Sequence, residues 1–575
     1  MKQFRYGPVL PEGRVFTVGD GVILLVIAAL LYAGVRLAFA APAAIAGPAI
    51  SLSPLALPWY AALSVARMAA AYVLSLLFSL GFGYVAFHHR AARAVLMPTL
   101  DVLQSVPILS FLPVVLLSLS AVLPQRAAAE LASIVLIFTS QAWNMTFSFY
   151  QSLCTIPEEL REAASVFRLD RWLRFKTLEL PFATIGLLWN SMMSWSGGWF
   201  FLMAAEIFHV GRRDFRLPGL GAYLQTAADA GNVPAVVLGV TTLVLVIVAL
   251  DQLVWRPLIA WSQRFKLEMV EGEEPPSSWF LEILSRSWIP SEIQSRLLRP
   301  LSERLDATLY RHGGGNVPPP EPVAHRGRPS AWAIATGVLV LLVVVYGGAR
   351  AAGLLVGVPG PEWAMLGRGL LATLVRVAVS LAITLLWTVP VGVAIGTNRR
   401  VADILQPIVQ VIAAVPATAL FPVVLLALLN VSGGLNMAAV LLMLMGTQWY
   451  MLFNVIAGAA AIPVDLVQTS DMLRLPWRDR WRTLILPALF PYIITGAITA
   501  SGGAWNASII AEHVEFGGRS HATTGIGALI AQATGTANYP LLLAATLTLV
   551  VTVVVINRTL WRRLYRIAED RYRMD

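Results

Sequence analysis

Arg67 and Glu206 each stand inside a long apolar run, and Arg376 and Glu512 repeat them 309 and 306 residues later. An ionisable side chain in hydrocarbon is costly and marks a functional position by default. Two chemistries fit these four residues. Each arginine can neutralise the glutamate of its own copy and brace two helices, or the arginines can form basic sites that attract an anionic solute. The recurrence of both signs together favours the brace. Close by, "WSGGWFFLMAAE" and "ASGGAWNASIIAE" set small residues beside Trp199, Trp505 and Asn506. Small residues let helices approach, and an aromatic with an amide can line a central cavity or fill a core. His209 and His513 lie just beyond the glutamates, where no metal is expected. The single cysteine, Cys154, excludes an internal disulfide and a cysteine-based cluster.

A second concentration of chemistry lies outside the apolar runs. Of the 26 residues in "IPEELREAASVFRLDRWLRFKTLELP", Ile156 to Pro181, ten are charged, in a chain that is 13% charged overall. The passage opens like a helix. Thr155 can cap it, Pro157 fits the first turn, and Glu158, three residues after Thr155, completes a capping box. Glu158, Glu159 and Glu162 place negative charge near the positive end of the helix dipole. Arg168, Arg171, Arg174 and Lys176 fall toward its far end or on the next short helix. A rigid amphipathic helix of this kind suits docking to a separate cytoplasmic partner. A charged loop that merely follows the bias of basic residues toward the cytoplasm is the plain alternative.

The elements that must position these groups are membrane helices. The 575 residues are 57% hydrophobic, with mean hydropathy +0.70. Soluble chains carry about 25% charged residues, roughly twice the share here. Apolar runs long enough for a hydrocarbon core of about 30 Å recur near 20–40, 59–87, 97–121, 128–150, 183–207 and 233–256. A second set lies near 331–353, 366–396, 408–430, 436–457, 490–512 and 540–557. The first run lacks a small-residue cleavage site followed by a soluble region, so it reads as a retained span and not a signal peptide. Pro107 and Pro113, and Pro416 and Pro422, are expected to break the third and ninth spans, which must then face the interior. The net charge of +10 sits mainly in loops and speaks for orientation, not for nucleic acid.

The two sets are copies of one unit. At an offset of 309, Pro98, Pro107 and Pro113 fall on Pro407, Pro416 and Pro422. At 306, Pro157, Pro181, Gly219, Gly221, Asn232 and Pro234 fall on Pro463, Pro487, Gly525, Gly527, Asn538 and Pro540. Six spans return the chain to its starting side, so the copies share one orientation. The expected fold is an all-α polytopic membrane protein of about twelve transmembrane helices, in two parallel six-helix repeats about a pseudo-two-fold axis along the membrane normal. The expected divisions are a first half, 1–258, a cytoplasmic linker with a candidate interfacial helix, 259–330, and a second half, 331–575. Arginine in "HHRAAR", the linker and the C-terminal tail places both termini in the cytoplasm, with "GRRDFR", Gly211 to Arg216, the exception on the outside.

"EAASVFRLDRWLRFKTLELP" resembles the EAA loop of binding-protein-dependent ABC importer permeases of type I, whose pattern is Glu-Ala-Ala, three residues, Gly, nine residues, Ile, one residue, Leu-Pro. Glu162, Ala163, Ala164, Leu180 and Pro181 fit, Leu178 replaces the isoleucine and Arg168 the glycine. In the second half Asp465 precedes the loop, Gln468, Thr469 and Ser470 replace Glu-Ala-Ala, and Arg474 again replaces glycine, before Leu486 and Pro487. "RAARAVLMPTLDVLQSVPILSFLPVV" and "MAAEIFHVGRRDFRLPGLGAYL" are similar to the subfamily importing nitrate, sulfonates, taurine or bicarbonate. The resemblance implies a bacterial inner-membrane permease pair fused into one chain. It also implies two copies of a cytoplasmic ABC ATPase carrying ATP and magnesium, an extracytoplasmic substrate-binding protein, and surrounding lipid. The chain itself has only three lysines, none after a glycine, so it carries no Walker A site. The degenerate second loop raises the expectation that the two halves couple unequally. The rival readings are an ion-gradient-driven transporter with a six-plus-six repeat and a membrane scaffold that transports nothing.

Overall fold

The computed structural model describes residues 18–42, 45–104, 106–210, 213–265, 278–286, 296, 300, 303, 306, 331–428, 431–462, 464–516 and 519–572. The first half comprises α1 Val18–Ala38, α2 Leu57–His88, α3 Arg90–Leu103, α4 Leu112–Ser120, α5 Gln125–Cys154, α6 Glu158–Val166, α7 Arg171–Arg174, α8 Leu180–Glu206, α9 Leu220–Asp229, α10 Val233–Leu250 and α11 Arg256–Ser262. A short helix, α12 Trp279–Arg286, follows in the linker. The second half comprises α13 Ala331–Val356, α14 Gly360–Gly396, α15 Arg399–Ala414, α16 Ala417–Leu428, α17 Gly434–Ala460, α18 Val464–Met472, α19 Trp477–Arg480, α20 Leu486–Ala511, α21 Ile526–Gly535, α22 Tyr539–Ile556 and α23 Arg562–Tyr572. Each half adds one small antiparallel hairpin after its glutamate. β1 His209–Val210 pairs with β2 Arg213–Asp214, and β3 His513–Phe516 with β4 Arg519–Ala522.

Helices occupy all twelve apolar stretches. Eight of the described helices are long and apolar enough to cross a membrane by length and composition alone. The third and ninth spans are broken, for the reason their prolines predict. Proline lacks an N–H and forces the residue before it out of helical geometry. In the first half α3 stops at Leu103, and a single 3-10 turn, Ile108–Phe111, follows Pro107 before α4. In the second, Val415 is extended between α15 and α16. Backbone groups freed by the first break find partners across the seam between the halves. Leu109 N–H donates to Asn506 Oδ1 at 3.2 Å and Thr546 Oγ1 to Ser110 O at 3.4 Å. Turns of π-helix at Phe175–Glu179 and Trp481–Ile485 precede Pro181 and Pro487, where the missing N–H loosens the ladder.

In each half the core is a layer of three long helices: α2, α5 and α8, then α14, α17 and α20. Across the seam, α16 packs on α8 and α9, the Ile108–Phe111 turn on α20, α1 on α22, and α10 on α15. One element departs from the repeat. Whereas α1 packs on α4, its counterpart α13 lies against α1 and α22 instead of α16. Gly347 and Gly348 flatten α13 so that Ala29 and Leu25 of α1 come close, and Arg350 Nε donates to Tyr32 Oη at 3.2 Å. The spatial repeat thus runs from α2 and from α14.

One local expectation is corrected. Thr155 does not cap α6: its hydroxyl donates to Ser152 O at 3.0 Å, and Pro157, with no side-chain acceptor, holds the N-cap position. Arg161 donates to Leu153 O and Cys154 O instead, satisfying the end of α5. Two arginines of "GRRDFR", Arg213 and Arg216, have structural partners. Buried Arg213 donates to Pro42 O and, across the seam, to Thr534 O near the C-terminal end of α21, while Arg216 pairs with Asp214 at 2.6 Å. The charge of Arg213 and Arg216 is spent on carbonyls and a carboxylate.

Candidate functional site

Ser64 and Arg67, one turn apart on α2, face Glu206 at the end of α8. Glu206 Oε1 accepts from Ser64 Oγ at 2.6 Å and Arg67 Nη1 at 2.9 Å, and Oε2 accepts from the Gly221 N–H at 2.7 Å. The carboxylate is fully buried. A Cβ at Gly219 would stand 2.2 Å from it, so only glycine lets α9 begin there. Arg67 also donates to Pro218 O at 2.8 Å and, through Nε and Nη2, to both oxygens of Glu130 on α5 at 2.6 and 2.7 Å.

The second half repeats the plan with different partners. Glu512 accepts from Thr373 Oγ1 and Arg376 Nη1, each at 2.7 Å, and from the Gly527 N–H at 2.9 Å. Arg376 Nη2 donates to Asn436 Oδ1 at 2.7 Å, to Thr524 O at 2.8 Å and to Thr523 Oγ1. Asn436 takes the place of Glu130, so the first site holds one more carboxylate than the second. Every arm of these arginines is directed at its own half, an arrangement that braces α2 to α8 and α14 to α20. Losing one member of such a buried pair costs about 3–5 kcal/mol, because the other charge is left uncompensated. Trp199 and Trp505 are each only 1% exposed and lie in the packed cores. Asn506, as above, serves the broken span.

The charged loops form two surface helices in matched positions. On α6, Glu158, Glu159 and Glu162 are exposed and make no ion pair among the described residues. Ala163 is half-buried and Ala164 is buried. On α18, Gln468 and Thr469 are exposed and Ser470 is buried, its hydroxyl donating to Val467 O at 2.7 Å. The side chain of Asp465 lies outside the described residues. Asp471 pairs with Arg480 at 2.6 Å. The two helices end identically. Arg168 and Arg474 are left-handed, with φ 49° and 47°. Leu169 N–H donates back to Ala164 O and Leu475 N–H to Ser470 O, both at 3.1 Å, while Arg168 and Arg474 N–H reach Ser165 O and Asp471 O, each at 3.0 Å. This is a Schellman close, which favours glycine at the left-handed position. Just before it each helix offers solvent an apolar pair, Val166 and Phe167 at 77% and 76% exposed and Met472 and Leu473 at 83% and 66%.

Sequence reasoning passed over two groups beside the first loop. Glu179, fully buried, lies at ion-pair distance from Arg174 Nε, 3.1 Å, and His88 Nε2, 3.2 Å, without the alignment of a hydrogen bond. Its counterpart is Ile485. Asp306, from the linker, accepts from Trp172 Nε1 at 2.7 Å and Lys176 Nζ at 2.5 Å. The contrast of Glu179 with Ile485 in aligned loops was the available signal for the first; nothing in the sequence pointed to the second.

The family described as "Binding-protein-dependent transport system inner membrane component" matches residues 75–254 and again 388–574. A nitrate import permease protein of Synechocystis sp. is 31% identical over 147 residues, 26% of this chain and 52% of the relative. A bicarbonate transport system permease protein of Synechococcus elongatus is 31% identical over 147 residues, 26% of this chain and 51% of the relative. A taurine transport system permease protein of Escherichia coli is 26% identical over 182 residues, 31% and 62% of the two chains. The chain thus spans about half the length of the cyanobacterial relatives it matches. Both matches to the family fall on the two layers of long helices and include the loops that follow α5 and α17. This multi-pass membrane protein therefore belongs to the family of binding-protein-dependent transport system inner membrane components, with that family's unit present twice in one chain.

Proposed function

We propose that the chain is the fused permease of an ATP-driven importer for a small oxyanion of the nitrate, bicarbonate or sulfonate kind. One observation carries the reading: two surface helices, 306 residues apart, end in the same left-handed turn and each hold out an exposed apolar pair at matching positions. Matched protruding helices on matched halves suit a symmetric pair of cytoplasmic ATPase subunits, which bind ATP and magnesium. Val166, Phe167, Met472 and Leu473 would insert into those subunits. Glu158, Glu159, Glu162, Ala163, Gln468 and Thr469 would form the rim. When the ATPases close, α6 and α18 move with them, and the halves rock to expose the solute path on one side or the other. The buried Arg67–Glu206 and Arg376–Glu512 pairs keep each half rigid during that motion. An extracytoplasmic substrate-binding protein would deliver the solute, both termini lie in the cytoplasm, and residues 259–330 link halves 1–258 and 331–575. The relatives' names supply the solute class; nothing in the buried pairs selects among its members.

The test is purification of the tagged chain from its native membrane in mild detergent. Two copies of an ATPase are expected to accompany it and to be lost with Phe167→Asp or Leu473→Asp. A well-expressed chain that arrives alone would move the reading to a gradient-driven transporter.

A further inference from the structure

Beside α5 and α8 the first half holds an open-mouthed chamber of about 370 Å³. Gln104, Asn144, Ser148, Gln151 and Asn190 line it, with the Phe147 ring on one side, and among the described residues no lining side chain is a carboxylate, a histidine or a cation. Asn144, Ser148 and Gln151 stand at i, i+4 and i+7, one face of α5. At 1.5 Å per residue, Asn144 lies about 15 Å along α5 from its end and Asn190 about 15 Å along α8 from its start. The chamber therefore runs from the end that bears α6 to mid-depth.

Asn190 Nδ2 donates to Ser148 Oγ and Gly186 O, both at 3.0 Å, and so fixes the back wall. The carboxamides of Gln104, Asn144 and Gln151 are exposed and bond no other described residue. An amide left without a partner in hydrocarbon costs several kcal/mol, so this wall faces water or a polar solute, not lipid. It also faces the seam. The counterpart of Asn144 is Tyr450, and a Cβ at Gly197 of α8 would stand 3.1 Å from the Tyr450 hydroxyl. That face of α17 meets the first half, and by the pseudo-symmetry the same face of α5 turns to the second.

The second half does not repeat the wall. Ala413, Tyr450, Asn454, Ala457 and Gly496 occupy the five places. The Asn454 amide is spent on Tyr450 O at 2.7 Å. The Tyr492 ring lies against Gly458, where the first half has Gly186 and Ser152, so bulk replaces polarity.

We propose that this one-sided chamber is the inward-facing binding site of the transported solute, a small oxyanion held by neutral amide and hydroxyl donors of the first half alone. The proposal rests on the permease reading above. Neutral N–H and O–H groups match the acceptor oxygens of such an anion. A binding site that must also release its solute gains from the lack of a counter-charge. The chamber's volume falls within the usual range for small-molecule pockets.

The test uses the full chain with its co-purifying ATPase, in inside-out vesicles. Cys154→Ser removes the single thiol. Gln151→Cys and Ala457→Cys, matched and both exposed, are then introduced separately. Each is labelled with a membrane-impermeant maleimide in the presence of nitrate, bicarbonate or taurine, with chloride as control. At least one oxyanion is expected to slow labelling at Gln151→Cys by the factor 1 + [L]/Kd and to leave Ala457→Cys unchanged. No labelling at Gln151→Cys, no protection by any of the three, or equal protection at both positions would overturn the proposal. In uptake assays Asn144→Leu is expected to raise KM with ATPase association intact; unchanged uptake would also overturn it. Loss of the permease reading itself registers separately, as a chain without an ATPase.

Discussion

At Arg168 and Arg474 the backbone takes a left-handed turn that glycine adopts freely and other L-residues do not. The penalty is about 1 kcal/mol or somewhat more at each position. Arg168→Gly and Arg474→Gly are therefore expected to raise the thermal unfolding midpoint of the purified chain; a lowered midpoint would mean that the arginine side chains stabilise the loops by more than the turn strains them. Both positions were legible in the sequence, because each falls in the glycine place of the loop pattern. The Arg67–Glu206 and Arg376–Glu512 pairings were legible in the same way, from their joint recurrence. Their further partners were not. Glu130 and Asn436 reach the arginines because α5 and α17 pack in one particular rotation about their axes, and the sequence does not state that rotation. The expected cap by Thr155 went astray because α6 begins two residues later than its hydroxyl could serve, with Pro157 in the N-cap position.

Among the elements, the linker is more than a spacer. Asp306 clasps Trp172 and Lys176 beside α7, whereas the matching places in the second half are Arg478 and Arg482. Lys176 and the Trp172 indole hold the Asp306 carboxyl below its usual pKa. A depressed carboxyl contributes its hold in full above its undocked value, about 4, and loses it as pH falls through the lower docked value. The clasp is thus intact at neutral pH and opens only in strong acid. Asp306→Asn is expected to speed trypsin cleavage of the linker at pH 7; cleavage at the wild-type rate would show that the clasp restrains nothing. The broken third and ninth spans were foreseeable from proline alone, since a residue without an N–H cannot continue the ladder. The place of α13 was not. Its apolar residues suit lipid or another helix equally, and Gly347 and Gly348 decide the matter only once Ala29 and Leu25 are there to meet them.

On the scale of the molecule, contacts from both ends of the chain close the seam. Asp20 and Arg558 form a buried pair at 2.5 Å, Tyr539 Oη donates to Ala38 O at 2.7 Å, and Arg213 reaches Thr534 O at 3.2 Å. These bonds join residues hundreds of positions apart and owe nothing to the linker. Co-expressed as separate pieces divided between 307 and 330, the halves are expected to co-purify through a tag on either one; recovery of a tagged half alone would show that the covalent link is what holds them. The duplicated architecture could be read from aligned prolines and glycines, but the side chains that stitch the copies together could not, because each copy has its own. That freedom has a genetic consequence. In a permease assembled from two identical subunits, every new residue appears twice and must suit both sides of the axis. In this chain each codon is inherited and selected once, so one wall can acquire amides while the wall opposite fills with tyrosine.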